Sequence, residues 1–200
     1  MEITEYAVAL LRAAYRGEAL PGIREPRAPG AVANQERFTG EWQGADGLRL
    51  QIMSRGGQLA VQSGGIERPL RRVDDTSFVT DHPALPPYTL DFGEPSKGLW
   101  LGGRLLARGR APEQPPVAPA LTGLVGTYYD SGAWTPRHLV FARGERLFLG
   151  HVPITRADDG SWRFDDEELV SERAWFLHSS GGRAQTLNLS GQSYTHLADS

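Results

Sequence analysis

The side chains that carry acid–base, nucleophilic or metal chemistry are few in this sequence and badly spaced for it. Five histidines, His82, His138, His151, His178 and His196, lie at least thirteen residues apart, so none forms the His-Glu-x-x-His pair that grips zinc from one helix face. Lone histidines of this kind read as surface groups or as hydrogen-bonded partners on strands. There is no cysteine, which excludes disulfides, thiolate nucleophiles, zinc–cysteine sites and iron–sulfur clusters. The single lysine, Lys97, directly follows Pro95-Ser96, so no Ser-x-x-Lys exists, and Gly-x-Ser-x-Gly and Gly-x-Gly-x-x-Gly are missing as well. Adjacent carboxylates in Asp165-Asp166-Glu167-Glu168 repel one another and read as a water-exposed turn rather than a cation site. Asn188-Leu189-Ser190 matches a glycosylation tripeptide that is common by chance. No catalytic residue, metal site or cofactor is assigned.

Aromatic residues are the remaining candidates. Trp42, Tyr88, Phe92 and Trp100, with Tyr128, Phe141, Phe148, Trp162, Trp175 and Phe176, could line a cavity for an apolar ligand. In small β-barrels such side chains fill the interior instead, and core packing is the expected role. Charge argues against polyanions: 21 basic residues, all arginine but Lys97, face 24 acidic ones, a net −3. Nucleic acid is therefore not an expected partner, and Arg68-Pro69-Leu70-Arg71-Arg72 reads as a solvated strand face. No apolar run approaches the roughly 20 residues of a membrane span. The first residues, Met1-Glu2-Ile3-Thr4-Glu5, are acidic where a signal peptide is basic, which leaves the cytoplasm as the default location.

The elements that must position these residues fall into a helix and two β regions. Ile3, Tyr6, Leu10 and Leu11 recur at helical spacing, with arginines at the end of the run and Gly17 as its stop. A helix this short needs a partner for its apolar stripe. We read 1–20 as a helix that either packs back on the rest of the chain or belongs to an upstream domain, and 21–36 as a linker. Residues 37–110 then show an all-β rhythm, with strands expected at 40–42, 48–53, 58–62, 67–73, 77–80, 88–92, 98–101 and 104–108. Hairpin turns are expected at Gly56-Gly57 and Gly102-Gly103.

A Pro-rich stretch at 111–120 reads as a semi-rigid linker, and at 121–200 the first pattern returns. Phe38-Thr39-Gly40-Glu41-Trp42 aligns with Leu124-Val125-Gly126-Thr127-Tyr128, and Arg55-Gly56-Gly57 with Arg143-Gly144-Glu145. The stretch from Pro69 to Phe78 aligns with Pro153 to Trp162, and Leu99-Trp100-Leu101 with Leu187-Asn188-Leu189. The offset stays between 84 and 88 residues throughout, the mark of a tandem duplication. The expected fold is all-β: a tandem pair of small antiparallel β-barrels behind one amphipathic helix. A sandwich, or one larger sheet shared by both copies, satisfies the same pattern.

Gly40-Glu41-Trp42 resembles the Gly-x-Trp that opens the first strand of lipocalins and their relatives, where the Trp plugs one barrel end beneath an Arg from the last strand. That resemblance implies a barrel-end motif of Gly40, Trp42 and either Arg104 or Arg108; the second copy has Tyr128, with Tyr194 and His196 near its closing strand. More widely, the order of helix, Pro-rich linker and lipocalin-like β units is similar to the region behind the catalytic domain in bacterial serine hydrolases of the β-lactamase and penicillin-binding-protein family. The resemblance implies a non-catalytic accessory module that caps or orients a hydrolase domain or supports oligomers. The partner would be that domain, or a second copy, through Ile3, Tyr6, Leu10 and Leu11. The alternative is a lipocalin-like module that binds a small apolar ligand.

Overall fold

A computed structural model describes residues 10–19, 32–85, 89–93, 98–133, 135–166, 169 and 171–197. The chain divides into two units, Met1–Gly30 and Ala31–Ser200. In the first, residues 10–16 are helical. Gly17, at φ 65°, ends the helix in a Schellman turn: its N–H reaches the Ala14 carbonyl and the Glu18 N–H reaches that of Ala13. Of the expected 21–36 linker, 21–31 lie outside the described residues, and its end belongs to the second unit: Val32 donates to the Gly57 carbonyl and Gln35–Arg37 form a single 3-10 turn.

The second unit holds two antiparallel sheets. Strands β1 (Gly40–Gly44), β2 (Arg49–Arg55), β3 (Gln58–Ser63), β4 (Ile66–Pro69), β5 (Arg71–Arg72), β6 (Ser77–Val79), β7 (Leu90–Asp91), β8 (Leu99–Leu101) and β9 (Arg104–Arg108) run in the order β4-β3-β2-β1-β9-β8-β7-β6-β5. The two edges of this sheet are halves of one stretch, the expected strand 67–73, interrupted only at Leu70. There the backbone leaves β3, with the Leu70 N–H still on the Leu59 carbonyl at 2.8 Å, and turns to pair with β6. The sheet is thus a nearly closed barrel. Strands β10 (Gly126–Tyr129), β11 (Arg137–Arg143), β12 (Arg146–Leu149), β13 (Val152–Arg156), β14 (Trp162–Phe164), β15 (Arg173–Ser180), β16 (Arg183–Leu189) and β17 (Gln192–Leu197) form a closed barrel in sequence order, β17 returning to β10. Closure of that ring rules out the sandwich and the shared sheet.

The two barrels agree residue by residue at the aligned positions. Arg72 faces Phe78 as Arg156 faces Trp162, and the Val73–Ser77 backbone bond recurs as Ala157–Ser161. The turns between are held by Asp74 in the first barrel and, one aligned position later, by Asp159 in the second, each carboxylate accepting a backbone N–H two residues on. Each barrel has its own core. Phe38, Trp42, Phe78 and Phe92 fill the first in edge-to-face contacts 4.9–5.8 Å apart. Tyr128, Trp162, Phe164, Leu187 and Tyr194 belong to the second.

The barrels meet through side chains that the strand pattern would leave outside. Phe141 and Phe148 alternate with the core residues Val140, Ala142, Leu147 and Leu149, so they face outward, yet both are buried and their rings stack at 5.2 Å. The Arg143 guanidinium lies over both rings and over Trp100 of the first barrel. It also donates to the Gly102 carbonyl at 2.9 Å and to the Asp91 carboxylate at 2.5 Å. Gly56, Gly57 and Gly102 have positive φ at their turns, but Gly103 does not. Gly103 is required for a different reason: a Cβ there would sit 2.9 Å from the Ala142 carbonyl oxygen across the seam. The Pro-rich connection is pinned as well. The Gln114 amide bonds both backbone groups of Leu105, like a one-residue strand, and the Ala118 N–H bonds the Gly144 carbonyl. Residues 111–118 have no regular structure, and one helical turn, Pro119–Thr122, leads into β10.

Candidate ligand cavity in the second barrel

Each barrel is plugged at one end by the first-strand aromatic. In the first, the Trp42 indole N–H donates to the Phe38 carbonyl at 3.0 Å, and the Arg108 guanidinium stacks 4.8 Å from the ring centre. Arg108 faces Trp42 in the β1–β9 register and also donates to the carbonyls of Glu36 and Arg37. Gly40 supplies the backbone at φ 131° against the Arg108 side chain. Arg104 has no part in this: it stands four residues away at the other end of β9 and pairs with Asp46 at 3.1 Å. The second barrel builds the same plug from other residues. Tyr128 donates to the Leu124 carbonyl at 2.9 Å, and His196, its partner on β17, stands edge-on to the phenol at 5.1 Å. Arg and Trp have been exchanged together for His and Tyr, and burial raises the Tyr128 hydroxyl pKa.

At the opposite ends the barrels part company. In the first, seven residues lie between Val61 and Pro69, making a long β3–β4 hairpin; in the second only three lie between Leu149 and Pro153. The long hairpin is held by His82, a buried residue on the β6–β7 loop. Its Nε2 lies 3.0 Å from the Ile66 carbonyl and 3.2 Å from that of Ser63, while its Nδ1 accepts the Ala84 N–H at 3.1 Å. Those contacts fix the tautomer as Nε2–H and satisfy the ring. Leu85 on the same loop joins the first core.

The shorter turn at Gly150-His151 leaves a cavity of about 430 Å³ in the second barrel. Its wall is largely apolar, with Leu149, Val152, Phe164, Leu169 and Leu189, and Arg137, His138, His151 and Glu172 add polar groups. His138 occupies a core register. Trp42 faces Leu50 in the first barrel and Tyr128 faces His138 in the second, so His138 stands where the first barrel has a fully buried leucine. Its ring lies edge-on to Tyr194 at 4.5 Å, and its Nε2 is buried with no hydrogen-bond partner among the described residues. Burial pushes the His138 pKa down, which keeps the ring neutral. The Glu172 carboxylate accepts the Ser190 hydroxyl.

None of the aromatic residues singled out in the sequence, among those described, lines this cavity. Trp42, Phe92, Tyr128 and Trp162 are core, Trp100, Phe141 and Phe148 lie at the seam, and Tyr88 is outside the described residues. The two cavity histidines were hidden by their thirteen-residue separation, which a strand and a hairpin fold back to one mouth. Among the described residues no group of three or more His, Asp or Glu could hold a metal ion, and no helix is long and apolar enough to cross a membrane. Of the acidic run, Asp165 accepts the Thr155 hydroxyl, and Glu167 and Glu168 lie outside the described residues. On the helix, Leu10 is half-buried and Leu11 is 70% exposed, as is Tyr15 at 94%, one turn on. Ile3 and Tyr6 lie outside the described residues.

No family model matches this sequence, and no curated protein matches it. The chain's own geometry carries the functional reading.

Proposed function

We propose that the chain is a non-catalytic β module of a bacterial serine hydrolase related to β-lactamases and penicillin-binding proteins, with its helix packed on the catalytic domain. What supports this reading is the helix: Leu11 and Tyr15 share a face at i, i+4 spacing and are the two most exposed large apolar side chains among the described residues. A short helix with such a face gains its stability from tertiary packing. The two β-barrels, joined through Arg143, would cap or orient that domain. The isolated chain should hydrolyse neither nitrocefin nor p-nitrophenyl esters, whereas the chain joined to a Ser-x-x-Lys domain should be active. Turnover by the isolated chain would sink the reading.

The cavity favours a second reading, a lipocalin-like binding module for a small apolar ligand. A volume of about 430 Å³ falls in the usual range for ligand sites and the wall is mostly apolar. Titration with a fluorescent fatty acid should saturate at one per chain, because the first barrel is filled. Leu189→Trp, which adds volume to the wall, should abolish the signal. A titration that never saturates would retire this reading.

A further inference from the structure

We infer that the cavity selects an alkyl ligand bearing an uncharged hydrogen-bonding head, an alcohol or a carbonyl, and that His138 reads that head. The inference rests on the reading of the cavity as a binding site. It starts from the comparison of the two barrels. The same register position is Leu50 in one and His138 in the other, and its neighbours are kept: Ile52 answers to Val140, Val61 to Leu149, and Leu101 to Leu189. A leucine there packs at no polar cost. A buried imidazole nitrogen without a partner among the described residues is destabilising, and a ligand donor or acceptor would relieve it. The histidine of the first barrel shows the contrast, since both nitrogens of His82 are satisfied by backbone that closes the mouth. In the second barrel that backbone is missing from the shorter turn, and His138 lines the cavity instead.

The surrounding chemistry selects the class of head. Leu149, Val152, Phe164, Leu169 and Leu189 offer a tail only apolar contact. The rim balances Arg137 against Glu172, so it gives a fully charged head no net advantage. A neutral imidazole donates through one nitrogen and accepts through the other, which suits a hydroxyl.

Octanol, octane and octanoate share a tail length and differ only in the head. Their competition against a bound fluorescent fatty acid, at fixed pH near neutral, gives relative affinities on the intact chain. Octanol should bind about tenfold more tightly than octane, a difference of one good hydrogen bond. His138→Leu, the residue of the first barrel, should erase that preference while leaving octane binding in place. His138→Gln, which keeps a donor and an acceptor, should restore part of it, and a thermal scan of each variant checks that the barrel is folded. An octanol preference that survives His138→Leu would overturn the assignment, as would octanoate binding more tightly than octanol, since Arg137 would then read the head. Equal binding of octane and octanol defeats the role of His138 but not the cavity. Failure of all three to compete defeats the cavity reading itself.

Discussion

Replacing Arg143 with methionine should lower the unfolding free energy by about 3 kcal/mol, the low end of the cost of breaking a buried ion pair from one side. The pair is sheltered: the Arg143 side chain is 14% exposed and the Asp91 side chain 27%. Methionine keeps much of the aliphatic contact with Phe141, Phe148 and Trp100 but leaves the Asp91 carboxylate facing a seam that was built for a cation. Burial alone pulls the guanidinium pKa down, and Asp91 pulls it back up, the electrostatic counterpart of the same dependence. Asp91→Leu combined with Arg143→Met should recover most of the loss, because no buried charge is then left unpaired. Urea unfolding of the four proteins gives a coupling energy directly, expected at about 2 kcal/mol. A loss under about 1 kcal/mol for Arg143→Met, the range of exposed surface pairs, would mean that the seam is not held by this residue.

The variant has a second readout. With the clamp gone, the barrels keep the apolar seam of Phe141 and Phe148 and the 111–118 connection, pinned by Gln114 on Leu105 at one end and by Ala118 on Gly144 at the other. The unfolding transition should broaden or split as the barrels lose their coupling, and proteolysis within the Pro-rich stretch should become faster. Aligned on the repeat, Arg143 answers to Arg55, whose pairing among the described residues is an exposed one with Glu67. The second copy has put a duplicated arginine to a use that the first never had.

The sequence carried the architecture because its evidence is local. Gly and Asp at turn positions, alternation along strands and an offset of 84–88 residues are properties of short stretches, and closure into barrels follows once eight short strands must each hide one face. Leu70 escaped notice because a bend that hands one strand from β3 to β6 changes partners without changing residue type. The seam escaped for the opposite reason. Phe141 and Phe148 look like core residues, and nothing in an alternating pattern tells an outward aromatic covered by a neighbouring barrel from an inward one. Arg104 and Arg108 were equal candidates by type and differ only in register. Residue 108 faces Trp42, and residue 104 lies beyond the reach of β1. The cavity was legible in principle. Four residues missing from one hairpin and a histidine aligned with Leu50 are both visible when the copies are set side by side, but their meaning depends on knowing which strand face turns inward.

Trp42→Ala should be the most damaging single change in the first barrel, at about 4 kcal/mol, within the range for deleting a buried aromatic. Three losses coincide. The indole is 1% exposed and packs edge-on to Phe92 at 5.4 Å, so its removal leaves a cavity among residues that are themselves held by the opposing strands. Its N–H no longer satisfies the Phe38 carbonyl, which sits beside the buried Phe38 ring. Arg108 loses the face on which it stacks, and with it part of what holds the chain before β1 through Glu36 and Arg37. Trp42→Phe separates these contributions by keeping a ring while removing the donor, and should cost about 1–2 kcal/mol. Tyr128→Phe removes only the corresponding hydroxyl bond of the second barrel and should cost about 1 kcal/mol. If the two plugs are equivalent, both phenylalanine variants weaken their own barrel by similar amounts, and calorimetry of the two proteins would show it. A Trp42→Ala protein destabilised by less than about 2 kcal/mol would mean that the first barrel closes over the gap, and that its end is sealed by Phe38 and Phe92 without the indole.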